Sequence, residues 1–159
     1  MRHARHGPPR AVLAAATRAL AGAGLVVEAT APVIASAPLG PSLRHYANGA
    51  VVVATDRAPR ALLALLQEIE RDFGRVRRGR RWQARTLDLD VVLWSGGRWR
   101  DRALTIPHPA FRARGFVLGP AAQIARDWRD PASGLTLGHL AARLTRKSRA
   151  PRAAPRRAP

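Results

Sequence analysis

The chain has 159 residues, enough for one domain with a proper core, and it contains no cysteine, which excludes disulfides, thiolate metal sites and thiol nucleophiles. Its formal net charge of +18 would ordinarily suggest nucleic acid as a partner, but 27 of the 28 basic residues are arginine and only Lys147 is lysine. Together with abundant alanine, glycine and proline, this bias is typical of a GC-rich coding sequence. No apolar run approaches the ~20 residues of a membrane span, so we expect a soluble, cytoplasmic protein.

The first half of the chain predicts one helix and two strands. Pro8-Pro9 opens a helical stretch over residues 11–20, and glycines close it. Residues 25–35 have the composition of a strand, residues 36–41 form a proline-glycine loop, and a second strand covers residues 50–54.

The second half predicts a long helix, an arginine-rich loop, a strand and three short helices. Asp56 is placed to cap a helix from Pro59 to Phe73 whose apolar residues share one face. A loop over residues 75–85 holds six arginines and precedes a strand over residues 85–93. A turn follows at Ser95, and the short helices cover residues 111–114, 120–125 and 137–144.

This order of elements predicts an α+β fold with a three-stranded antiparallel sheet and helices on one face. It corresponds to a ferredoxin-like β-α-β-β-α-β unit without its first strand. The last fourteen residues carry six positive charges, no acid and no apolar periodicity. We therefore expect residues 1–145 to form one domain and residues 146–159 a disordered basic tail.

The strand over residues 85–93 carries the most informative pattern in the chain. Apolar and acidic residues alternate in Leu87-Asp88-Leu89-Asp90-Val91, so both carboxylates should lie on the same face. Two carboxylates with Cα atoms roughly 6.5–7 Å apart repel each other unless cations lie between them. The pattern therefore predicts a magnesium site, although alternation also marks any half-buried strand with a solvent face.

Basic segments on both sides of this strand favour the magnesium interpretation. The arginine loop precedes it, and Thr105-Ile-Pro107-His108-Pro109 and Arg112-Ala-Arg114-Gly-Phe116 follow it. Divalent cations held by a few carboxylates and by phosphate oxygens, with guanidinium groups around them, are the general layout for phosphoryl transfer.

Six short motifs resemble the signature of the 6-hydroxymethyl-7,8-dihydropterin pyrophosphokinase family. They agree with it in order and spacing between about Pro32 and Leu144: Pro38-Leu-Gly-Pro, Tyr46-Ala-Asn48, Phe73-Gly-Arg75-Val-Arg77, Arg81-Trp-Gln-Ala-Arg85-Thr-Leu-Asp88-Leu-Asp90-Val-Val, Ile106-Pro-His108-Pro and Arg114-Gly-Phe116-Val-Leu. The resemblance implies transfer of the β,γ-pyrophosphoryl group of ATP to the pterin hydroxymethyl oxygen in folate biosynthesis, with AMP as the second product. Residues 1–145 would then be a pyrophosphokinase domain.

The resemblance also implies the metal and pterin contacts. Asp88 and Asp90 match the pair that binds two magnesium ions between ATP and the pterin hydroxyl. Tyr46 and Phe116 match the aromatic pair around the pterin ring, although either residue taken alone could equally belong to the core. The full implied pterin set is Ser36, Leu39, Tyr46, Asn48, Trp82 and Phe116.

A second implied set contacts the nucleotide. Its members are Gln67, Glu70, Arg77, Arg81, His108 and Arg114. Arg75 and Arg85 match the two loop arginines tied to catalysis, where they would neutralise charge on the transferred group. With the two aspartates they complete the implied catalytic set. Without the resemblance, His108 would be assigned a structural role and the remaining loop arginines a solvated charge run.

Two departures from the family pattern bear on folding and on the loop. Family members begin with a central strand ending in Gly-Ser-Asn, and this chain begins beyond that motif. We therefore expect the acidic strand to lack a neighbour, and Met1 to be an internal methionine taken as the start. Gln83 stands where the family has a small residue, so we expect altered loop closure.

Two other functions are compatible with parts of the sequence. An arginine-rich RNA-binding protein would explain the charge, but base-stacking modules need several surface aromatics, and aromatics make up 5% of the chain. An inactive remnant of the same family would explain the missing strand, but the Asp88 and Asp90 pair is intact. We expect ATP and hydroxymethyldihydropterin as small-molecule partners, two Mg²⁺ ions as cofactors, a monomer, and neither a membrane nor nucleic acid as a partner.

Overall fold

The computed structural model describes residues 6–36, 46–74 and 86–149. The helices in these ranges are α1 (Pro9–Gly22), α2 (Pro59–Asp72), a 3-10 helix (Phe111–Ala113), α3 (Gly115–Ile124) and α4 (Leu137–Arg149). The strands are β1 (Val26–Thr30), β2 (Ile34–Ser36), β3 (Tyr46–Asn48), β4 (Val51–Ala54), β5 (Trp99–Arg100) and β6 (Thr105–Ile106). The α+β class is confirmed. Among the described helices, none is long and apolar enough to cross a membrane.

The first four strands form one long hairpin that is interrupted in the middle. β1 pairs antiparallel with β4, and β2 pairs antiparallel with β3. The N–H of Ala31 donates to the carbonyl of Ala50 at 2.9 Å and joins the two ladders. Pro32, which has no N–H to donate, follows at the break, so the strand predicted over residues 25–35 is divided into β1 and β2. The strand predicted over residues 50–54 corresponds to β4, and β3 was not predicted.

The prediction of a three-stranded sheet is wrong for the described residues. Their strands form three separate two-stranded ladders, the third between β5 and β6, which the sequence analysis missed. Residues 86–93 run between elements without a ladder partner in the part of the chain that the structure describes. Alternation fixes which face a side chain takes, but a strand also needs a partner, which a local pattern cannot supply.

The helix boundaries agree with the predictions in part. α1 and α2 begin at prolines, as expected for residues with no N–H to satisfy. The predicted Asp56 cap is wrong, because α2 begins at Pro59 behind Ala58 and has no side-chain cap. α3 begins at Gly115, five residues earlier than expected, and α4 continues to Arg149, past the expected start of the tail.

Two hydrophobic clusters make up the core, and residues 87–93 contribute to both. The first cluster unites α1 and α2 with Leu87, while Leu89 and Val91 pack against it. The second is built from the 3-10 helix, α3 and α4, and Val92 and Leu93 pack against it. We call residues 87–93 the acidic segment. Its apolar side chains anchor it at the junction of the two clusters.

A buried ion pair ties the second cluster together. Asp130 is fully buried, and its carboxylate accepts hydrogen bonds from Arg112 Nε at 2.8 Å and from a second guanidinium nitrogen of the same arginine. The Ser133 hydroxyl and the Ala132 N–H also donate to it. The hydrogen bonds from Arg112, followed by those from Ser133 and Ala132, hold the pKa of Asp130 well below its usual range. The pair links the 3-10 helix to the loop before α4.

We expect Asp130→Asn to destabilise the fold and to flatten its acid response. Arg112 is 34% exposed, so the loss should be about 2 kcal/mol at pH 7, less than for a fully buried pair. Because folding lowers the pKa of Asp130 from about 3.9, its stabilisation is fully present above about pH 4 and is lost as the pH falls below that value.

Urea unfolding at pH 7 and at several values below pH 4 tests this expectation. The exposed Asp127→Asn serves as the charge-matched control. If Asp130→Asn lost stability below pH 4 as steeply as the parent chain, the pair would not be the source of the acid response.

Candidate functional site

The acidic segment presents its two carboxylates to solvent. Leu87 is 3% exposed, and Leu89 and Val91 pack on the core, whereas Asp88 and Asp90 are exposed. The predicted alternation of faces is therefore confirmed, although no ladder partner is seen. The segment holds two oxygen-donor side chains on one open surface.

His108 lies beside Asp90 in a defined orientation. Its Nε2 is 3.9 Å from Asp90 Oδ2, and its backbone N–H donates to the Val92 carbonyl at 3.0 Å. Its Nδ1 accepts a hydrogen bond from the Ala110 N–H, so in the neutral ring the proton is on Nε2. The ring thus directs a donor toward the same surface as the carboxylate.

A cavity of about 350 Å³ adjoins these two side chains. One wall is the acidic segment, a second is Leu63 on α2, and a third is the turn between β5 and β6. The lining residues are Leu63, Asp90, Val91, Asp101, Arg102, Ala103, Leu104, Thr105, His108 and Pro109. Gln67 and Glu70 follow Leu63 on the same helical stripe, at i+4 and i+7. A cavity of this size accommodates part of a small polar ligand.

Asp101 fixes the turn that closes the cavity. Its carboxylate accepts from the N–H groups of Ala103 and Leu104 at 2.7 and 2.8 Å and from the Trp99 indole at 3.1 Å. The bond from Ala103, followed by that from Trp99, lowers the pKa of Asp101 from its ordinary value. An exposed ion pair with Arg60 at 3.2 Å connects the turn to α2.

The part that this turn plays in the cavity was not predicted from the sequence. Leu63, Asp101 and Thr105 were not among the predicted site residues. An aspartate between two predicted elements commonly accepts a hydrogen bond from the backbone N–H two residues later, as in an Asx-turn. The turn at Asp101 could therefore have been predicted from the sequence. Leu63 could not, because an apolar residue on a helix face looks the same whether it lines a cavity or fills the core.

Three of the predicted pterin residues come together on the β2–β3 ladder. Asn48 Nδ2 donates to Ser36 Oγ at 2.8 Å, and Ser36 pairs across the ladder with Tyr46. Residues two apart on a strand share a face, as do directly paired residues, so all three lie on one side. Tyr46 is 44% exposed there.

α3 brings two more predicted residues toward this ladder. The helix packs against β2 and β3, and its first turn carries Phe116. The Arg114 guanidinium carbon lies 5.9 Å from the centre of the Phe116 ring, within range of a cation–π contact. Phe116 is half-buried, and its ring thus contacts a basic side chain on a helix that packs against the hairpin.

The remaining predicted residues divide into those seen and those not described. Gln67 is half-buried on α2, and Glu70 is almost wholly buried, with its Oε1 accepting from the Leu89 N–H at 2.8 Å. The predicted site residues that lie outside the described residues are Leu39, Arg75, Arg77, Arg81, Trp82 and Arg85. Ligand contacts for all of these residues remain predictions.

The comparisons with known proteins agree on one family. The family model for 7,8-dihydro-6-hydroxymethylpterin-pyrophosphokinase matches residues 4–126. Proteins named 2-amino-4-hydroxy-6-hydroxymethyldihydropteridine pyrophosphokinase are similar in Synechocystis (42% identical), Pseudomonas aeruginosa (43%) and Methylorubrum extorquens (38%). The alignments cover 74%, 65% and 76% of this chain. They span 60%, 64% and 77% of those relatives, so the chain matches less than two thirds of the first two.

We expect Ser36 and Asn48 to be energetically coupled through their hydrogen bond. Ser36→Ala and Asn48→Ala should each lower the free energy of unfolding by about 1 kcal/mol, and the double variant should cost less than their sum by about 0.5–1 kcal/mol. Urea unfolding of the parent, both single variants and the double variant measures the coupling. Strict additivity would show that the 2.8 Å contact contributes nothing to the hairpin.

Proposed function

Since the chain belongs to the 7,8-dihydro-6-hydroxymethylpterin-pyrophosphokinase family, we propose that it transfers the β,γ-pyrophosphoryl group of ATP to the hydroxymethyl oxygen of 6-hydroxymethyl-7,8-dihydropterin, releasing AMP. The observation that carries the proposal is the exposed Asp88 and Asp90 pair beside the cavity at His108. This is the arrangement that transfer from a polyphosphate requires, and the product would serve folate synthesis.

The donor set at the acidic segment fits magnesium. Mg²⁺ favours oxygen ligands and is commonly held by one or two carboxylates, with substrate phosphates and waters completing its shell. Asp88 and Asp90 supply two such groups, and the described ranges contain no cluster of three acidic, histidine or cysteine side chains that could hold a metal alone. We propose that both aspartates bind Mg²⁺ together with ATP. Two ions at this position would offset the negative charge of the phosphates.

The cavity beside Asp90 is the proposed nucleotide site. His108 directs its Nε2–H toward this surface and can donate to a phosphate oxygen. We propose that Arg114, which directly precedes α3, also contacts the phosphates. Gln67 would contact the nucleotide from α2, and Arg75, Arg77, Arg81 and Arg85 would contact the phosphates from the loop. The phosphates of ATP would then lie at the acidic segment.

The proposed pterin site is the face of the β2–β3 ladder toward α3. Tyr46 and Phe116 supply flat apolar surfaces for stacking, and the Ser36 and Asn48 pair supplies hydrogen-bonding groups for the ring edge. Leu39 and Trp82 would complete the site. A ring held there would present its hydroxymethyl group to the nucleotide.

In the proposed reaction the pterin hydroxyl oxygen loses its proton to water and forms a bond to the β-phosphorus, while the bond from that phosphorus to the α,β-bridging oxygen breaks. The bridging oxygen leaves with AMP. None of the described side chains near the cavity is arranged as a strong base, so we assign the acceleration to in-line positioning and to stabilisation of charge by the basic residues.

The proposal also covers the fold, the oligomeric state and the location of the protein. We propose a ferredoxin-like arrangement in which a further strand pairs with the acidic segment, in a single pyrophosphokinase domain that ends with α4 instead of at residue 145. We further propose that the protein acts as a cytoplasmic monomer on small molecules, without a nucleic-acid partner.

The expected activity is AMP formation from MgATP that depends on the pterin and on both aspartates. Asp88→Asn and Asp90→Asn should each lower kcat/KM by about 100-fold or more, because a carboxylate charge needed by the cations is lost. Chromatographic measurement of AMP tests this, with the exposed Asp127→Asn as control. Full activity in both asparagine variants would remove the basis of the proposal.

His108→Ala should act mainly on nucleotide affinity. Loss of its donor should raise KM for ATP about tenfold while KM for the pterin stays close to that of the parent. Initial rates at varied ATP and varied pterin separate the two constants, and the exposed His139→Ala on α4 is the matched control. Equal effects of the two substitutions would contradict a phosphate contact by His108.

A further inference from the structure

Glu70 is an unusual residue for its position. Its side chain is 1% exposed on the face of α2 that packs into the first core cluster, next to Ile69 and Phe73. A carboxylate in such surroundings costs free energy unless hydrogen bonds replace its water. An apolar residue of similar shape would fill the same space without that cost. The position therefore calls for an explanation beyond packing.

One contact of Glu70 lies at the centre of the proposed metal site. Its Oε1 accepts a hydrogen bond of 2.8 Å from the N–H of Leu89, the residue between the two aspartates. The N–H of Leu89 belongs to the rigid peptide plane that also contains the Cα atom of Asp88. A fixed peptide plane restricts the direction of the Asp88 side chain. It also restricts the backbone that leads to Asp90.

The apolar side chains of the acidic segment limit how far its backbone can shift, but they do not fix the orientation of its peptide planes. Within the described residues it has no ladder partner, so no regular row of strand hydrogen bonds fixes it there. Among the described residues, two hydrogen bonds hold this backbone instead. The Leu89 N–H donates to the Glu70 carboxylate, and the His108 N–H donates to the Val92 carbonyl at 3.0 Å. They flank Asp90 on either side along the chain.

We infer that Glu70 is a positioning residue that orients Asp88 and Asp90 through the Leu89 peptide. This inference rests on the proposed function, and it differs from the expectation that Glu70 contacts ATP directly. A side chain that is 99% enclosed and turned toward the backbone of the acidic segment acts through that segment. Asp88 and Asp90 would then bind the cations, and the buried Glu70 carboxylate would orient them without binding a cation itself.

Two substitutions at residue 70 separate the roles. Glu70→Gln keeps an oxygen acceptor for Leu89, whereas Glu70→Met keeps the length of the side chain and removes the acceptor. Glu68→Gln and Glu68→Met provide matched controls, because Glu68 lies on the same helix with 61% of its side chain exposed. AMP formation is measured against Mg²⁺, ATP and pterin concentrations, and folding is followed by circular dichroism.

We expect Glu70→Met to lower kcat and to raise the Mg²⁺ concentration for half-maximal rate, each by about tenfold, with Glu70→Gln restoring both to within about threefold. KM for ATP at saturating Mg²⁺ should remain close to that of the parent in both variants. A raised KM for ATP with unchanged kcat and Mg²⁺ response would overturn the inference in favour of a direct nucleotide contact. Equal impairment in the two variants, or a lower melting temperature alone, would also overturn it.

A second measurement does not depend on turnover. In ¹⁵N-labelled protein the Leu89 amide should exchange slowly, remain protected in Glu70→Gln with an upfield shift, and lose protection in Glu70→Met. If Glu70→Met does not fold, the Gln variant carries the test, and a Leu89 resonance unchanged by it would overturn the inference. If the parent forms no AMP, the proposed function fails, but the inference on Glu70 can still be tested.

In that case Mn²⁺ with a non-hydrolysable ATP analogue is added to the labelled protein. Broadening of the Asp88 and Asp90 amide signals should be weaker in Glu70→Met than in the parent, and equal broadening would overturn the inference.

Discussion

The arrangement of the site depends on one packing constraint, the insertion of the acidic segment between two core clusters. Leu87, Leu89 and Val91 belong to the cluster under α1 and α2, and Val92 and Leu93 belong to the cluster under α3 and α4. Protein interiors are close-packed, so side chains that interlock with two clusters leave the backbone between them little freedom to shift. The exposed carboxylates inherit this fixed position from the apolar residues beneath them.

Local sequence patterns predicted those features of the structure that depend on residues close together in the sequence. The period of two in residues 87–91 predicted which side chains would be buried and which exposed, and prolines marked the starts of α1 and α2. These are cases in which neighbouring residues determine the outcome.

Contacts between distant parts of the chain were the ones that sequence reasoning could not supply. The family resemblance implied that Glu70 contacts the nucleotide, but the structure buries its side chain. Its burial depends on a donor nineteen residues away. The partner of Arg112 lies eighteen residues away at Asp130, and neither spacing corresponds to a helix or strand period. A single strand was predicted over residues 25–35, although Pro32 lies within it, because the pairing that the break interrupts involves residues 46–54.

The second cluster also extends the structure beyond the part that matches the family model. The match ends at residue 126, yet Asp130 follows it and binds Arg112, which lies between His108 and Arg114 in the sequence. Leu137, in the first turn of α4, packs with Phe111 from the 3-10 helix. The C-terminal residues therefore support the segment that carries both proposed phosphate contacts, whether or not they resemble those of other family members.

The break in the hairpin has a consequence for how motion is distributed in the molecule. The β2–β3 ladder has three residue pairs and is joined to the β1–β4 ladder through the hydrogen bond between Ala31 and Ala50. A unit this small should open at a fraction of the free energy needed to unfold α1 and α2, so its amides should exchange with solvent by local fluctuation while those of the core wait for global unfolding. The β2–β3 ladder, which carries three of the proposed pterin contacts, can therefore change shape while the backbone of the acidic segment stays in place.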